Sequence, residues 1–508
     1  MHRRLTSSSA RLPLAALALL LASACTPRDR PTDEGEVKTE PVADMTPPPA
    51  EQPPTPLAAG AGPVSIEVLP NFPIVHSGSL PGKLDLLIRL RGEEAGQAKR
   101  PPLDVAVILD RSGSMSGDKL LAVKQAALDL LKEIQPEDRI SLVSYSDDVM
   151  VHTERLLADP AGLTTIRQQL LPIEATGGTA LGPAMIRSLE LLESAKRPEE
   201  VLAHVLLLSD GQANVGEDDP KVLGLRAADG FGKGVSISTL GVGLDYNEDL
   251  MTKLADQGGG RYHFIQDSKA IPQVLADEMA GLVATVATGM TLEMRPSEGV
   301  KVDTIFGYPT TSEGSLARAR IGSLGAGQSR DIILRVDLPK ASGDSISLGV
   351  LALDFADLTS KGERSHAELA LTVKLSPDES AVLAAENTEV TVRVAEVESA
   401  AQLEAATRAV ATGDYDNARL LLEKDIARLR TLESKADTEE LAAQVQGQIA
   451  DLEEARGSVD KAETSQAESN HFQKSFKSKA YSKSKGSYAT KKKGPSKKAP
   501  SKKSKSPL

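Results

Sequence analysis

Hydrophobic positions divide the chain into stretches of different period. Val64-Ser65-Ile66-Glu67-Val68 and Lys83–Arg91 alternate apolar with polar residues, which is the period of a half-buried strand. From Leu103 to about Ala284 the pattern changes. The runs Leu103–Leu109, Arg139–Tyr145, Val201–Leu208 and Val235–Gly241 are almost continuously apolar, with helical segments such as Asp118–Ile134 and Ala180–Glu193 between them. Strands that are apolar on both faces and alternate with helices predict an α/β domain over 103–284, a doubly wound, mostly parallel sheet with helices on both faces. Alternation at period two returns over 288–397, in Thr291–Met294, Asp331–Leu338, Ser345–Leu353, Ala367–Leu375 and Thr388–Val394. This predicts a β-sandwich that the strands of 64–100 join, so that the α/β domain is inserted in it or followed by it. A helical segment is expected over 398–457, with Gly413 ending one helix and Asp414 capping the next.

Composition sharpens this division. Only 3% of residues are aromatic and Trp is absent, so the cores must be aliphatic and base stacking has little to work with. The net charge of −12 conceals an asymmetry: from His471 onward there are 13 Lys and no acid, leaving 46 Lys and Arg against 71 Asp and Glu in the rest. The Lys/Ser-rich segment 463–508 is expected to be a disordered tail. In an exported chain such a tail would meet anionic envelope polymer or lipid headgroups, and no nucleic-acid partner is expected.

The first 24 residues carry Arg3, Arg4 and Arg11, the apolar run Leu12–Leu21 and the small residues Ala22-Ser23-Ala24, which is the layout of a cleaved secretion signal. The run falls short of the ~20 residues a permanent membrane span needs. Cys25 is the sole cysteine and excludes disulfides within the chain. Ala22-Ser23-Ala24-Cys25 resembles the lipobox of bacterial lipoproteins, although Leu21 stands one position further from the cysteine than the family's leucine. The resemblance implies lipidation of Cys25 and a membrane-anchored protein outside the cytoplasm, on the outer membrane or the periplasmic face. Segment 25–63, with Pro47-Pro48-Pro49 and Pro53-Pro54, then reads as a linker holding the body off the lipid.

The candidate chemistry lies at strand ends. The strand from Leu103 runs into Asp110-Arg111-Ser112-Gly113-Ser114-Met115, placing a carboxylate and two hydroxyls at the carboxyl edge of a parallel sheet, where such sheets bind ligands. Thr176-Gly177-Gly178-Thr179 opens a later helix, and Leu206-Leu207-Leu208-Ser209-Asp210-Gly211 is a second buried strand ending in an acid. Oxygen donors alone suit Mg²⁺, Mn²⁺ or Ca²⁺ and argue against zinc and copper. Together these elements resemble the metal-ion-dependent adhesion site of von Willebrand factor A domains. The resemblance implies Ser112 and Ser114 as hydroxyl ligands, with Asp110, Thr179 and Asp210 completing the site directly or through water. It also implies a protein partner that offers an acidic side chain to the metal.

No zinc-protease motif, nucleophile–base spacing or phosphate loop is present, since no Lys follows Gly177-Gly178. No catalytic residues are expected. The wider layout is similar to bacterial relatives of calcium-activated chloride channel regulators and inter-alpha-trypsin inhibitor heavy chains. The expected function is therefore metal-dependent binding of a protein partner by an anchored lipoprotein. The alternatives are a structural tether using the basic tail, or an accessory subunit of a metal-dependent enzyme or channel complex.

Overall fold

A computed structural model describes residues 57–94, 100–194 and 196–489. The segment expected as a secretion signal, Cys25, the linker up to residue 56 and the tail from residue 490 lie outside the described residues. The chain opens with strands β1 (Leu57–Ala61), β2 (Val64–Pro70), β3 (Ile74–His76) and β4 (Gly82–Gly92). The α/β domain follows as β5 (Leu103–Asp110), α1 (Asp118–Glu133), β6 (Arg139–Tyr145), β7 (Val149–Leu157), α2 (Pro160–Leu170), α3 (Leu181–Glu193), β8 (Leu202–Ser209), α4 (Pro220–Gly232), β9 (Val235–Val242), α5 (Glu248–Gln257), β10 (Gly259–Ile265) and α6 (Ile271–Val283). Strands resume with β11 (Thr285–Pro296), β12 (Lys301–Ile305), β13 (Thr310–Glu313), β14 (Leu316–Gly325), β15 (Gln328–Leu338), β16 (Ser345–Asp357) and β17 (Glu363–Ser376). Helices α7 (Glu379–Ala384), α8 (Thr388–Ala411), α9 (Tyr415–Glu433), α10 (Glu439–Ala462) and α11 (Gln466–Lys485) follow, then the short strand β18 (Ser487–Ala489).

The α/β sheet has the order β10-β9-β8-β5-β6-β7, parallel throughout except for the edge strand β7. Every residue of β5, β8 and β9 is buried because helices cover both faces. Along β5, Leu103, Val105, Val107 and Leu109 enter the core under α1 and α6, while Ala106 and Ile108 enter the core under α3 and α5. The domain is inserted between β4 and β11. These flanking strands form two antiparallel-dominated sheets, β1-β2-β4-β15-β12 and β13-β14-β11-β16-β17-β3, which enclose one core containing Ile66, Leu86, Leu292, Leu334 and Leu353.

Three expectations need correction. The proline-rich linker was expected to run to residue 63, but Leu57–Ala61 forms β1 and pairs with β2. Thr388–Val394, expected as the last strand of a sandwich ending at 397, is the first turns of α8, whose start is capped by the Asn387 side chain on Val390 N. The misleading alternation arises because this helix is buried on two sides. Val390, Val394 and Val397 pack on Leu87 and Ile333 of the sandwich, whereas Val392 and Ala395 enter the helical bundle.

The third correction concerns the tail, ordered well past residue 463 as α11. Ser465 accepts from Glu468 N at 3.2 Å to start the helix. Phe472, Phe476 and Ala480 recur every fourth residue and are buried in the core shared by α8, α9 and α10. The helix lysines meet acids from two directions: Lys474 pairs with Glu248, Lys477 with Asp249 and Lys485 with Asp256 on the α/β domain, and Lys479 and Lys483 pair with Asp451 of α10. Among the described residues no helix is long and apolar enough to cross a membrane.

Candidate metal centre

Adjacent parallel strands β5 and β8 carry the two acids singled out in the sequence to the same edge of the sheet. Asp110 is the last residue of β5, Asp210 follows β8, and both are fully buried. Beyond Asp110 the chain makes a single turn, Gly113–Met115, pinned by Met115, which has no exposed surface. Ser112 Oγ lies 3.0 Å from Ser114 Oγ, and Ser114 Oγ donates to Asp210 Oδ1 at 2.6 Å. Ser112 N donates to Asp110 Oδ1 at 2.8 Å.

Thr179 enters from the loop before α3. That loop is tied to the first by Gly113 N to Gly177 O at 3.1 Å and by Thr176 N to Arg111 O at 2.7 Å. Gly177 has φ +72, and a side chain there would run into Asp147, whose carboxylate accepts from Gly178 N at 2.7 Å. A Cβ placed on Gly211 would stand 3.3 Å from Thr179 Oγ1 and 3.5 Å from Ser114 Oγ, so both hydroxyls border the same small space. The structure therefore gathers Asp110, Ser112, Ser114, Thr179 and Asp210 at one place.

Several supporting residues escaped the sequence reading. The Tyr145 hydroxyl lies 3.1 Å from Asp110 Oδ2 and 3.0 Å from the Leu208 carbonyl, and Ser209 Oγ donates to Asp110 Oδ2 at 2.8 Å. Asn214 Oδ1 accepts from Thr179 N at 2.8 Å. Lys119, in the first turn of α1, places Nζ 2.5 Å from Asp210 Oδ2. A lysine early in an amphipathic helix looks solvent-facing in sequence, so only its position beside Asp210 exposes its role. Arg111 pairs with Asp148, and Ser116 Oγ donates to Gly113 O at 2.7 Å.

Electrostatically the site is short of positive charge. Burial pushes the Asp110 carboxyl above its ordinary range, against hydrogen bonds from Ser112 and Ser209, and the neighbouring charge of Asp210 adds to the push. Burial and the charge of Asp110 push the Tyr145 phenol well up, so that it stays protonated as a donor. Two fully buried carboxylates share one ammonium. Together with three hydroxyls they form an all-oxygen donor set that fits a hard divalent cation, and Lys119 already shows that Asp210 takes up positive charge. Among the described residues no group of three or more His, Cys, Asp or Glu is placed to hold a metal, so an ion at this site would draw on the hydroxyls as well as on the two carboxylates.

This geometry sits on the fold that the comparisons identify. Residues 104–277 match the model of the von Willebrand factor type A domain, and the chain contains that domain. Human inter-alpha-trypsin inhibitor heavy chain H4 is 30% identical over 195 residues, 37% of this chain and 21% of that protein. The uncharacterized protein sll0103 of Synechocystis is 24% identical over 308 residues, 58% of this chain and 71% of that protein. The chain thus spans about a fifth of the heavy chain's length and rather more of the cyanobacterial protein's. Among solved structures, the von Willebrand factor type A protein from Catenulispora acidiphila superposes with a TM-score of 0.63 at 19% identity, covering 79% of this chain and 89% of that one. Domains of this type are mostly interaction modules that bind protein partners rather than enzymes.

Proposed function

We propose that the protein is an extracytoplasmic lipoprotein whose A domain binds a protein partner through a divalent cation, Mg²⁺ or a similar hard ion, held by Asp110, Ser112, Ser114, Thr179 and Asp210. One observation carries this reading. Asp110 and Asp210 are fully buried on adjacent strands, beside hydroxyls and one lysine, where carboxylates without a further cation are costly. A bound ion would supply a Lewis-acidic position that accepts a carboxylate, and a ligand set rich in neutral hydroxyls would leave it electrophilic. The chain's own residues fix the donors, through the hydrogen bonds among Asp110, Ser112, Ser114 and Asp210 and from Thr179 N to Asn214. Cys25 would supply the anchor.

The partner would be a protein presenting an Asp or Glu side chain to the carboxyl edge of the sheet. The full chain, crosslinked in envelope extract with Mg²⁺ or with chelator, tests this beside Asp110→Ala. A crosslink to one protein that maps to the loops around Ser112, Thr179 and Asp210, and needs both the metal and Asp110, supports the reading. Crosslinks indifferent to chelator and variant would move the binding role to another surface.

A further inference from the structure

At the opposite edge of the α/β sheet, where the domain meets the sandwich, lies a cavity of about 40 Å³ bordered by His204 of β8, Ser236 of β9, Arg261 of β10, Glu278 of α6 and Gln328 and Arg330 of β15. We propose that this cavity is a binding site for a small monovalent inorganic anion such as chloride.

The charge inventory comes first. Arg330 is only 7% exposed, and among the described residues no carboxylate pairs with it. Its two terminal nitrogens donate to the carbonyls of Ile321 and Ser323, and its Nε has no hydrogen-bond partner. A buried guanidinium held by two neutral carbonyls and faced by the Tyr308 hydroxyl carries an uncompensated charge, which is costly in a protein interior. Arg261 adds a second positive charge, and the single carboxylate on the cavity wall, Glu278, lies 3.9 Å from it. Both oxygens of Glu278 are already engaged, by Ser238 Oγ at 2.5 Å and His263 Nε2 at 2.9 Å. One monovalent anion closes the balance between two guanidiniums and one carboxylate.

The donors come second. His204 is 2% exposed; its Nδ1 lies 2.6 Å from Ser236 Oγ, and its Nε2 is buried, makes no hydrogen bond and lies 3.7 Å from Glu278 Oε1. The Glu278 carboxylate near Nε2 favours the tautomer with its proton there, Ser236 Oγ then donating to Nδ1 rather than to the Ala203 carbonyl 3.4 Å away, and that proton is available to an acceptor at the cavity. Size comes third. At roughly 10–15 Å³ per water-sized occupant, the space admits one to a few waters or a halide and excludes organic ligands. An anion here would join Arg330 of the sandwich to His204 of the inserted domain, and would therefore favour the docked arrangement of the two.

Crystals of the full chain equilibrated with sodium bromide and measured at the bromine absorption edge provide the test. An anomalous peak inside the cavity, within hydrogen-bonding reach of Arg330 and His204 Nε2, is expected. In solution, the unfolding midpoint should rise when chloride replaces a bulky sulfonate at constant ionic strength, and Arg330→Gln should lose that rise. Ordered water with no anomalous signal at saturating bromide would overturn the proposal, as would a midpoint whose anion response is the same in Arg330→Gln. Should Arg330→Gln fail to fold, the wild-type bromide map decides alone.

Discussion

Lys119 Nζ stands 2.5 Å from Asp210 Oδ2, so the candidate site's carboxylates already have a cation of the chain's own beside them. Asp210 is fully buried, while Lys119 keeps 31% of its side chain in water. Lys119→Met should lower the stability of chelator-treated protein by about 1–3 kcal/mol, less than for a fully buried pair because of that exposure. The same variant should gain more thermal stability from Mg²⁺ than the wild type gains, since the ion becomes the sole counter-charge. Thermal unfolding with chelator and with Mg²⁺ reads both effects. Equal gains in the two proteins would mean that Lys119 and the ion do not share Asp210.

Asp110 separates stability from ion binding. Its charged form is disfavoured by burial and by the charge of Asp210, so removing the charge relieves the metal-free protein. Asp110→Asn keeps an oxygen for Ser209 and Tyr145 but loses the acceptor of Ser112 N, which offsets the relief of charge, so it should unfold in chelator near the wild-type midpoint yet show no Mg²⁺-dependent rise. A large loss of stability in chelator would assign Asp110 to the framework instead.

The C-terminal helix is expected to be integral to the body. Phe472 is 1% exposed and its ring lies 4.7 Å from that of Phe476. Phe472→Ala should cost about 3–5 kcal/mol in denaturant unfolding. A change below ~0.5 kcal/mol, the range of surface substitutions, would mean that the segment is not packed.

Acid should weaken the fold in a defined window. Burial lowers the His204 pKa to about 4, and the histidines and Arg261 around Glu278 hold its carboxyl far below the ordinary range. For both groups the unfolded chain binds protons that the native state refuses, so stability falls with falling pH. His204 contributes from about pH 6.5 down to about 4, at most ~3 kcal/mol, and Glu278 adds its share as pH drops through the usual carboxylate range. His204→Gln should flatten the slope between pH 6.5 and 4. An unchanged slope would place the acid sensitivity elsewhere.

The contrast between β8 and α11 explains which parts were legible in the sequence. Leu202–Ser209 is apolar without break because both its faces are buried, and its end at Asp210 marks the site directly. Every donor of the candidate site lies on such a strand end or in the loop before a helix, so local sequence located it. Helix α11 has the opposite character. Its lysines are paired with Glu248, Asp249, Asp256 and Asp451, far away in sequence, and composition alone reads them as solvated. Its capping pair Ser465 and Glu468 and the four-residue spacing of Phe472, Phe476 and Ala480 were the available signals, outweighed by the surrounding Lys and Ser. Helix α8 was hidden differently, because burial on two sides put valines at alternate positions and imitated a strand.

Titration of Mg²⁺ or Mn²⁺ into the metal-free full chain by calorimetry, beside Asp110→Asn and Ser114→Ala, tests the central claim most directly. The account predicts one ion per wild-type chain, no measurable binding by Asp110→Asn and at least tenfold weaker binding by Ser114→Ala. Wild-type protein that takes up no ion, or variants that bind as tightly as wild type, would contradict it.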